Sequence, residues 1–231
     1  MTSTLAIIPA RAGSKRLPNK NSRLFLGKPL ILWTVDFALR YGGFDLVIVS
    51  TDSPEIAKLT QDAGAYVPWL RPTELASDTA SSIDVVLHAV EKINLEASLS
   101  FDRIALLQPT SPVRLTERWQ LAAEFLDEGS PAAVGVHEVS SHPYWTYFIS
   151  MRGGLTPCFP EGLGMRSQDL PSVCEPNGSL YLIDINALRI HRSLTPPGTR
   201  GVLCEQQVES IDIDTAEDWS NAERLVSEGF R

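Results

Sequence analysis

The sequence predicts an α/β fold built on a mostly parallel central sheet, and three observations carry that expectation: continuous apolar runs of strand length, helical-period segments between them, and Gly/Pro punctuation where the two alternate. Leu5-Ala6-Ile7-Ile8 is an unbroken apolar run ended by Pro9, the habit of a strand buried on both faces. Asp45–Ser50 (DLVIVS) and Arg103–Leu107 (RIALL) have the same character. Between the first two, Pro29–Arg40 puts Leu30, Trp33, Thr34, Phe37 and Ala38 on one face at helical spacing, with Pro29 suited to a first helical turn. A second helix is expected over Pro54–Ala63, stopped by Gly64, and a third over Ile83–Ile93, where Ser81 and Asp84 are spaced as a capping-box variant. Sheets of this kind bind ligands at the carboxyl ends of their strands.

Residues 136–170 break the rhythm. His142, Pro143, Tyr144, Trp145, Tyr147 and Phe148 are followed by Gly153-Gly154, Pro157 and Pro160, which reads as a hairpin-and-loop excursion. Its rings are too dense for a solvated loop and are expected to bury against a partner subunit. The α/β pattern then resumes with a strand over Ser179–Ile183 and another over Ser210–Asp214. Thr215 and Asp218 start a last helix that runs to about Ser227. A single domain over residues 1–231, with the excursion inserted, is the expected organisation.

Composition narrows the function. The 231 residues carry 20 Lys+Arg against 28 Asp+Glu, a net charge of −8, so the broad cationic field of a general nucleic-acid binder is missing. With 43% hydrophobic residues the chain can bury a large core. It has no apolar run long enough for a membrane span and no basic-flanked apolar leader. Its three cysteines have no CxxC spacing, so neither a disulfide framework nor a zinc site is indicated, and a cytoplasmic location is expected.

The residues with chemical potential gather after predicted strand ends. Arg11, Lys15, Arg16 and Lys20 concentrate positive charge around the small residues Gly13 and Ser14, and such a loop can bring backbone N–H groups close to an anion. It looks like a triphosphate cradle, although it is neither GxxxxGK[ST] nor GxGxxG. Asp212 and Asp214 alternate with Ile211 and Ile213, so a strand would point both carboxylates to one face, Cα atoms roughly 7 Å apart. A hard cation such as Mg²⁺ would relieve their repulsion and carry a nucleoside triphosphate. Two acids beside a helix N-terminus explain the same pattern without a metal. Gln108-Pro109-Thr110-Ser111-Pro112 follows the third buried strand, and Asn177-Gly178-Ser179 sits at another strand's entrance; each also fits a plain turn. His88, His137, His142 and His191 form no ligand pattern, and no Ser/His/Asp or Cys/His signature is present.

Seven segments together resemble one family: IPARAGSKRLPNKN (Ile8–Asn21), VSTD (Val49–Asp52), RPTELASDTASS (Arg71–Ser82), LLQPTSPVR (Leu106–Arg114), QDLP (Gln168–Pro171), PNGSLY (Pro176–Tyr181) and SIDIDT (Ser210–Thr215). In this order they are similar to the acylneuraminate cytidylyltransferases, the CMP-sialic acid synthetase family. The resemblance implies a Rossmann-like nucleotidyltransferase, homodimeric through the excursion, that joins CTP to a nonulosonic acid with Mg²⁺ and releases pyrophosphate. It implies that Arg11 and Lys20 hold the triphosphate beside Gly13 and Ser14, with Asn21, Arg71, Ala80 and Ser82 around the cytidine. It further implies Gln108, Gln168, Asn177 and Tyr181 at the sugar, Asp212 and Asp214 on Mg²⁺, and Arg11, Lys20 and Asp214 as the catalytic set.

Two departures bear on the sugar. Where the sialic acid enzymes carry an Arg-Gln pair, this sequence reads Arg166-Ser167-Gln168, so Arg166 is kept as a displaced sugar-binding candidate. Where they carry a lysine after His-Pro, His142-Pro143 is followed by Tyr144-Trp145. Aromatic rings cover apolar faces and donate at most one hydrogen bond each, which favours a less polar relative such as legionaminic or pseudaminic acid. A Kdo or sugar 1-phosphate nucleotidyltransferase and a non-catalytic nucleotide-binding module are the competing readings.

Overall fold

The computed structural model describes residues 2–77 and 79–229. The chain begins with β1 (Thr4–Pro9), whose Leu5, Ala6, Ile7 and Ile8 are all 0% exposed. A short hairpin, β2 (Leu24–Phe25) and β3 (Lys28–Pro29), turns through Leu26 and Gly27, both at positive φ. It leads into α1 (Leu30–Tyr41), which stops at Gly42 in the left-handed conformation (φ 75°) that glycine adopts without strain. After β4 (Leu46–Ser50), the Ser53 hydroxyl caps α2 (Pro54–Asp62) by accepting from Ile56 N–H at 3.2 Å. The expected Ser81/Asp84 pair starts α3 (Ser82–Ala97), Ser81 Oγ accepting from Asp84 N–H at 3.1 Å. Then come β5 (Arg103–Leu106), α4 (Thr116–Asp127), β6 (Ala132–Glu138), a hairpin of β7 (Tyr147–Ile149) and β8 (Leu155–Pro157), β9 (Cys174–Asp184), α5 (Ile185–His191), β10 (Arg200–Leu203) and α6 (Ala216–Gly229).

One six-stranded sheet in the order β10-β6-β9-β5-β1-β4 carries the molecule. All neighbours are parallel except β9, which runs antiparallel between β5 and β6, so the sheet is mostly parallel as expected. The period-2 geometry of β1 divides its residues between two helix layers. Ala6 and Ile8 pack with Phe37 of α1 and Trp119 of α4. Leu5 and Ile7 pack with Val86 and Val90 of α3 and Leu188 of α5. Each Leu, Ile, Val or Phe side chain so removed from water stabilises the fold by about 1.5–3 kcal/mol.

A third apolar cluster positions the site. Leu17 of the basic loop, Phe25, Leu30, Val113, Ile211, Ile213 and Trp219 of α6 bury together, with the Phe25 and Trp219 rings edge-on at 5.5 Å. Residues at opposite ends of the sequence are thereby fixed side by side.

Three expectations need correction. Ser210–Asp214 is not a sheet strand: a 3₁₀ turn (Gln207–Ser210) runs into an extended segment whose Ile213 N–H donates to Thr110 O at 2.9 Å, without a ladder on either side. The alternation survives all the same, because Ile211 and Ile213 are drawn into the third cluster while Asp212 stays exposed and Asp214 half-buried. The excursion is shorter than 136–170 at its start, since β6 continues to Glu138 by pairing with Cys174 and Glu175. The strand expected at Ser179–Ile183 begins five residues earlier for the same reason.

The excursion does form a hairpin, Tyr147 pairing with Pro157 and Ile149 with Leu155. Its apolar side chains stay uncovered within the chain: Phe148 is 67% exposed, Ile149 73% and Leu155 63%. No helix among the described residues is long and apolar enough to cross a membrane.

Candidate active site

A cleft opens at the carboxyl ends of β1, β4 and β5, in two connected chambers of about 330 and 450 Å³ that share Pro9, Arg11, Pro109, Thr110 and Asp214. The basic loop walls the larger chamber, contributing Ser14, Lys15, Arg16, Lys20 and Asn21. Arg71, Ala80, Ser82 and Gln108 wall the smaller one, together with Asp212. The cationic loop near the start and the aspartates near the end therefore meet in one cleft.

Asp214 is the hinge of this arrangement. Lys20 Nζ donates to Asp214 Oδ1 at 2.8 Å and to the Ile213 carbonyl at 2.9 Å, while Arg16 reaches Asp214 Oδ2 at 2.6 Å. Lys20 is only 9% exposed, whereas the Arg16 side chain is 70% exposed and can leave the carboxylate at little cost. The aspartate segment is pinned at both ends. On one side Glu209, 2% exposed and paired with Arg118 at 3.0 Å, closes the 3₁₀ turn by accepting from Gln206 N–H. On the other, Asp218 accepts from the backbone N–H groups of Asp214 and Thr215 at 3.0 and 2.7 Å, and Thr215 Oγ1 accepts from Asp218 N–H.

The loop opposite is braced from behind. Ala12 N–H donates to Asp52 Oδ1 at 2.8 Å, and Asn21 Nδ2 donates to the Arg11 carbonyl at 3.2 Å. Asn21 thus shapes the cradle as well as lining it. Gly13 lines neither chamber, and an added Cβ there would meet nothing within 4 Å, so the chain's own packing does not demand glycine.

Arg71, 6% exposed, donates to Ser50 Oγ at 3.0 Å, to the Ser50 carbonyl and to Leu75 O at 3.4 Å. Burial pushes its pKa down to about 10, the Asp52 carboxylate opposing and the Arg11 charge adding to the fall, so Arg71 remains a cation at neutral pH. Tyr181 lies on β9, half-buried; burial, with the negative charge of Asp212 second, raises its phenol.

The remaining sugar candidates stand apart. Asn177, 5% exposed, is committed internally: Nδ2 donates to Glu209 O at 3.2 Å, and Oδ1 accepts from Ser179 N–H and Oγ at 3.1 and 2.8 Å. It braces the floor on which the aspartate segment rests. Arg166 and Gln168 sit on the excursion; Arg166 pairs with Asp169 at 2.7 Å and is 72% exposed, and neither lines the cleft of its own chain.

Sequence reasoning did not single out Arg16 among its four loop cations, nor Thr110, whose carbonyl ties down the aspartate segment. It also passed over Arg114. This side chain is 9% exposed and donates to Gln108 O at 2.6 Å, Ser179 O at 3.0 Å and Thr34 Oγ1 at 3.0 Å. Burial lowers its pKa to about 9, which leaves it charged at neutral pH.

Comparison with known proteins agrees with this geometry. Residues 5–142 match the family described as Cytidylyltransferase. The chain is 40% identical over 228 residues to a CMP-N,N'-diacetyllegionaminic acid synthase of Legionella pneumophila, covering 96% of this chain and 95% of that one. It is 31% identical over 222 residues to a pseudaminic acid cytidylyltransferase of Campylobacter jejuni, again with 96% and 95% coverage. A solved CMP:2-keto-3-deoxy-manno-octonic acid synthetase complexed with CTP shares the fold, with a TM-score of 0.71 at 19% identity over 99% of this chain and all of that one. The cleft at the carboxyl ends of these strands, where a cationic loop faces two aspartates, thus belongs, in this chain, to a nucleotidyltransferase of the cytidylyltransferase family.

Proposed function

We propose that the chain transfers the cytidylyl group of CTP to the anomeric hydroxyl of a legionaminic-acid-type nonulosonic sugar and releases pyrophosphate. The observation that carries this reading is the single cleft in which Arg11 and Lys20 face Asp214. The sugar hydroxyl attacks the α-phosphorus in line, forming the new O–P bond as the bond to the β-phosphate breaks. Arg11, Arg16 and Lys20 hold the departing pyrophosphate, Asp214 takes the hydroxyl proton, and positioning with charge neutralisation supplies most of the rate. The smaller chamber, with Arg71, Ala80 and Ser82, takes the cytidine, and Gln108 faces the sugar.

Asp212 and Asp214 fit Mg²⁺. They are hard carboxylates on the same side of an extended segment, and the described residues hold no cluster of three or more metal ligands. One or two carboxylates completed by phosphate oxygens is the set that Mg²⁺ takes. When bound it would offset triphosphate charge.

The legionaminic-type assignment is supported by the 40% identity to the Legionella enzyme and by Ser167, Tyr144 and Trp145 at positions where the sialic acid pattern carries cations. The exposed hairpin supports a homodimer in which Arg166 and Gln168 serve the neighbouring cleft. Free Cys158, Cys174 and Cys204 support a cytoplasmic location. The test is pyrophosphate release with Mg²⁺ and each of the four nucleoside triphosphates against legionaminic, pseudaminic, N-acetylneuraminic and Kdo acids and a hexose 1-phosphate. Turnover confined to CTP with legionaminic acid is expected; preference for Kdo or for a sugar 1-phosphate refutes the reading.

A further inference from the structure

We propose that Arg114 is a positioning residue that sets the height of the Gln108–Thr110 turn, and through it the Asp214 carboxylate, above the floor of the cleft; this rests on the cytidylyltransferase reading of that cleft. Arg114 enters no chamber, and among the described residues it makes no ion pair. A buried guanidinium without a carboxylate is costly, and it is tolerated only where acceptors satisfy its donors. Two of its three acceptors are the carbonyls of Gln108 and Ser179, on the turn after β5 and on β9; the third is the Thr34 hydroxyl of α1. The rigid fork of Nε, Nη1 and Nη2 thus fixes three elements relative to one another at the point where they form the cleft.

The turn has little else to hold it there. Its own closure is Ser111 N–H to Gln108 O at 3.1 Å, and Ser111 Oγ, 1% exposed, has no hydrogen-bond partner among the described residues. On the facing strand Gly178 leaves room for the turn: a Cβ there would stand 3.0 Å from Gln108 Oε1 and 3.2 Å from Ser111 Oγ. The connection to the acid runs through one bond, from Ile213 N–H to Thr110 O at 2.9 Å. A shift of the turn therefore carries Gln108 and Asp214 together. Because Gln108 O keeps Ser111 N–H as a second donor, losing the guanidinium does not orphan it.

The experiment compares Arg114→Lys with Thr34→Val, which removes the α1 acceptor and touches neither turn. Steady-state kinetics with CTP and the sugar are read beside hydrogen exchange of peptides covering residues 108–113 and 209–214. For Arg114→Lys, kcat is expected to fall roughly 30–100-fold with KM for CTP within about threefold, since small misplacements act on the reacting geometry. Both peptides should exchange faster. Thr34→Val, which cuts one of the fork's three anchors and leaves the two carbonyl bonds in place, is expected to lower Tm and to lower kcat by less than Arg114→Lys does. A kcat near wild type in Arg114→Lys, unchanged exchange, or an equal kcat loss in Thr34→Val overturns the proposal. Should Arg114→Lys fail to fold by near-UV circular dichroism, Arg114→Gln replaces it; if both fail, Arg114 is a folding determinant and the positioning role falls. If the wild-type enzyme is silent with every sugar, the functional reading fails, while hydrogen exchange still decides for or against Arg114.

Discussion

Replacing Asp214 by Asn separates the chemistry of the cleft from its stability. The substitution keeps shape but removes the charge that Lys20 and Arg16 face at 2.8 and 2.6 Å. The Arg16 side chain is 70% exposed, so its pair contributes about 0–1 kcal/mol. The Lys20 side chain is 11% exposed and retains its bond to Ile213 O, so exchanging its charged partner for a neutral one costs about 1 kcal/mol. For a chain of 231 residues, unfolding entropy of about 2 cal/mol/K per residue turns that into a Tm shift of roughly 2 °C. Domains of this kind hold about 5–15 kcal/mol, so the variant stays folded. Turnover is a different matter: loss of one preorganised charged group at a reacting centre costs about 3–4 kcal/mol, or roughly 10²–10³ in kcat. The assay is pyrophosphate release at saturating CTP and sugar, with Mn²⁺ binding followed by electron paramagnetic resonance as a second readout. A folded Asn variant with kcat within about threefold of wild type would remove both the metal-holding and the proton-accepting roles.

Gly178→Ala should destabilise the protein by about 1–2 kcal/mol, because Gly178 has φ +76° and its Cβ would crowd Gln108, and it should raise KM for the sugar more than for CTP. His88 packs edge-on against Trp69 at 6.1 Å, and burial first and Lys92 second lower its pKa. The unfolded chain then binds the proton more readily than the native one, so stability falls as pH drops through the ordinary histidine range near about 6.5. His88→Leu should flatten the decline of Tm between about pH 7 and 5; an unchanged slope rejects this. Finally, Phe148→Glu together with Ile149→Glu should leave each chain folded and shift a homodimer to monomer in analytical ultracentrifugation, and a monomeric wild type would dispose of the interface.

The sequence made the nucleotide half of the fold readable because its physics is local. Buried parallel strands must be continuously apolar, and α1, α2 and α3 bury one stripe each, so β1, β4, β5 and those helices fall within a few residues of expectation. The opening half of β9 escaped notice since Cys174, Glu175 and Pro176 carry no strand signal; they pair only because β6 extends to meet them. The candidate residues divide in the same way. Arg11, Lys20, Asp212 and Asp214 announce themselves by charge density and alternation. Arg114 does not, since a buried arginine satisfied by carbonyls reads in sequence like any surface cation. Asn177 was legible as important, but its role as a brace depends on Glu209, which lies 32 positions away.

The apolar cluster that joins Leu17 to Ile211, Ile213 and Trp219 has a temporal meaning. During synthesis the basic loop emerges first, while Asp214, the carboxylate that Arg16 and Lys20 meet, follows almost two hundred residues later. The pairing of that loop with Asp214 is consequently formed late, and a chain arrested before Ile211 would carry Arg16 and Lys20 without the carboxylate they meet.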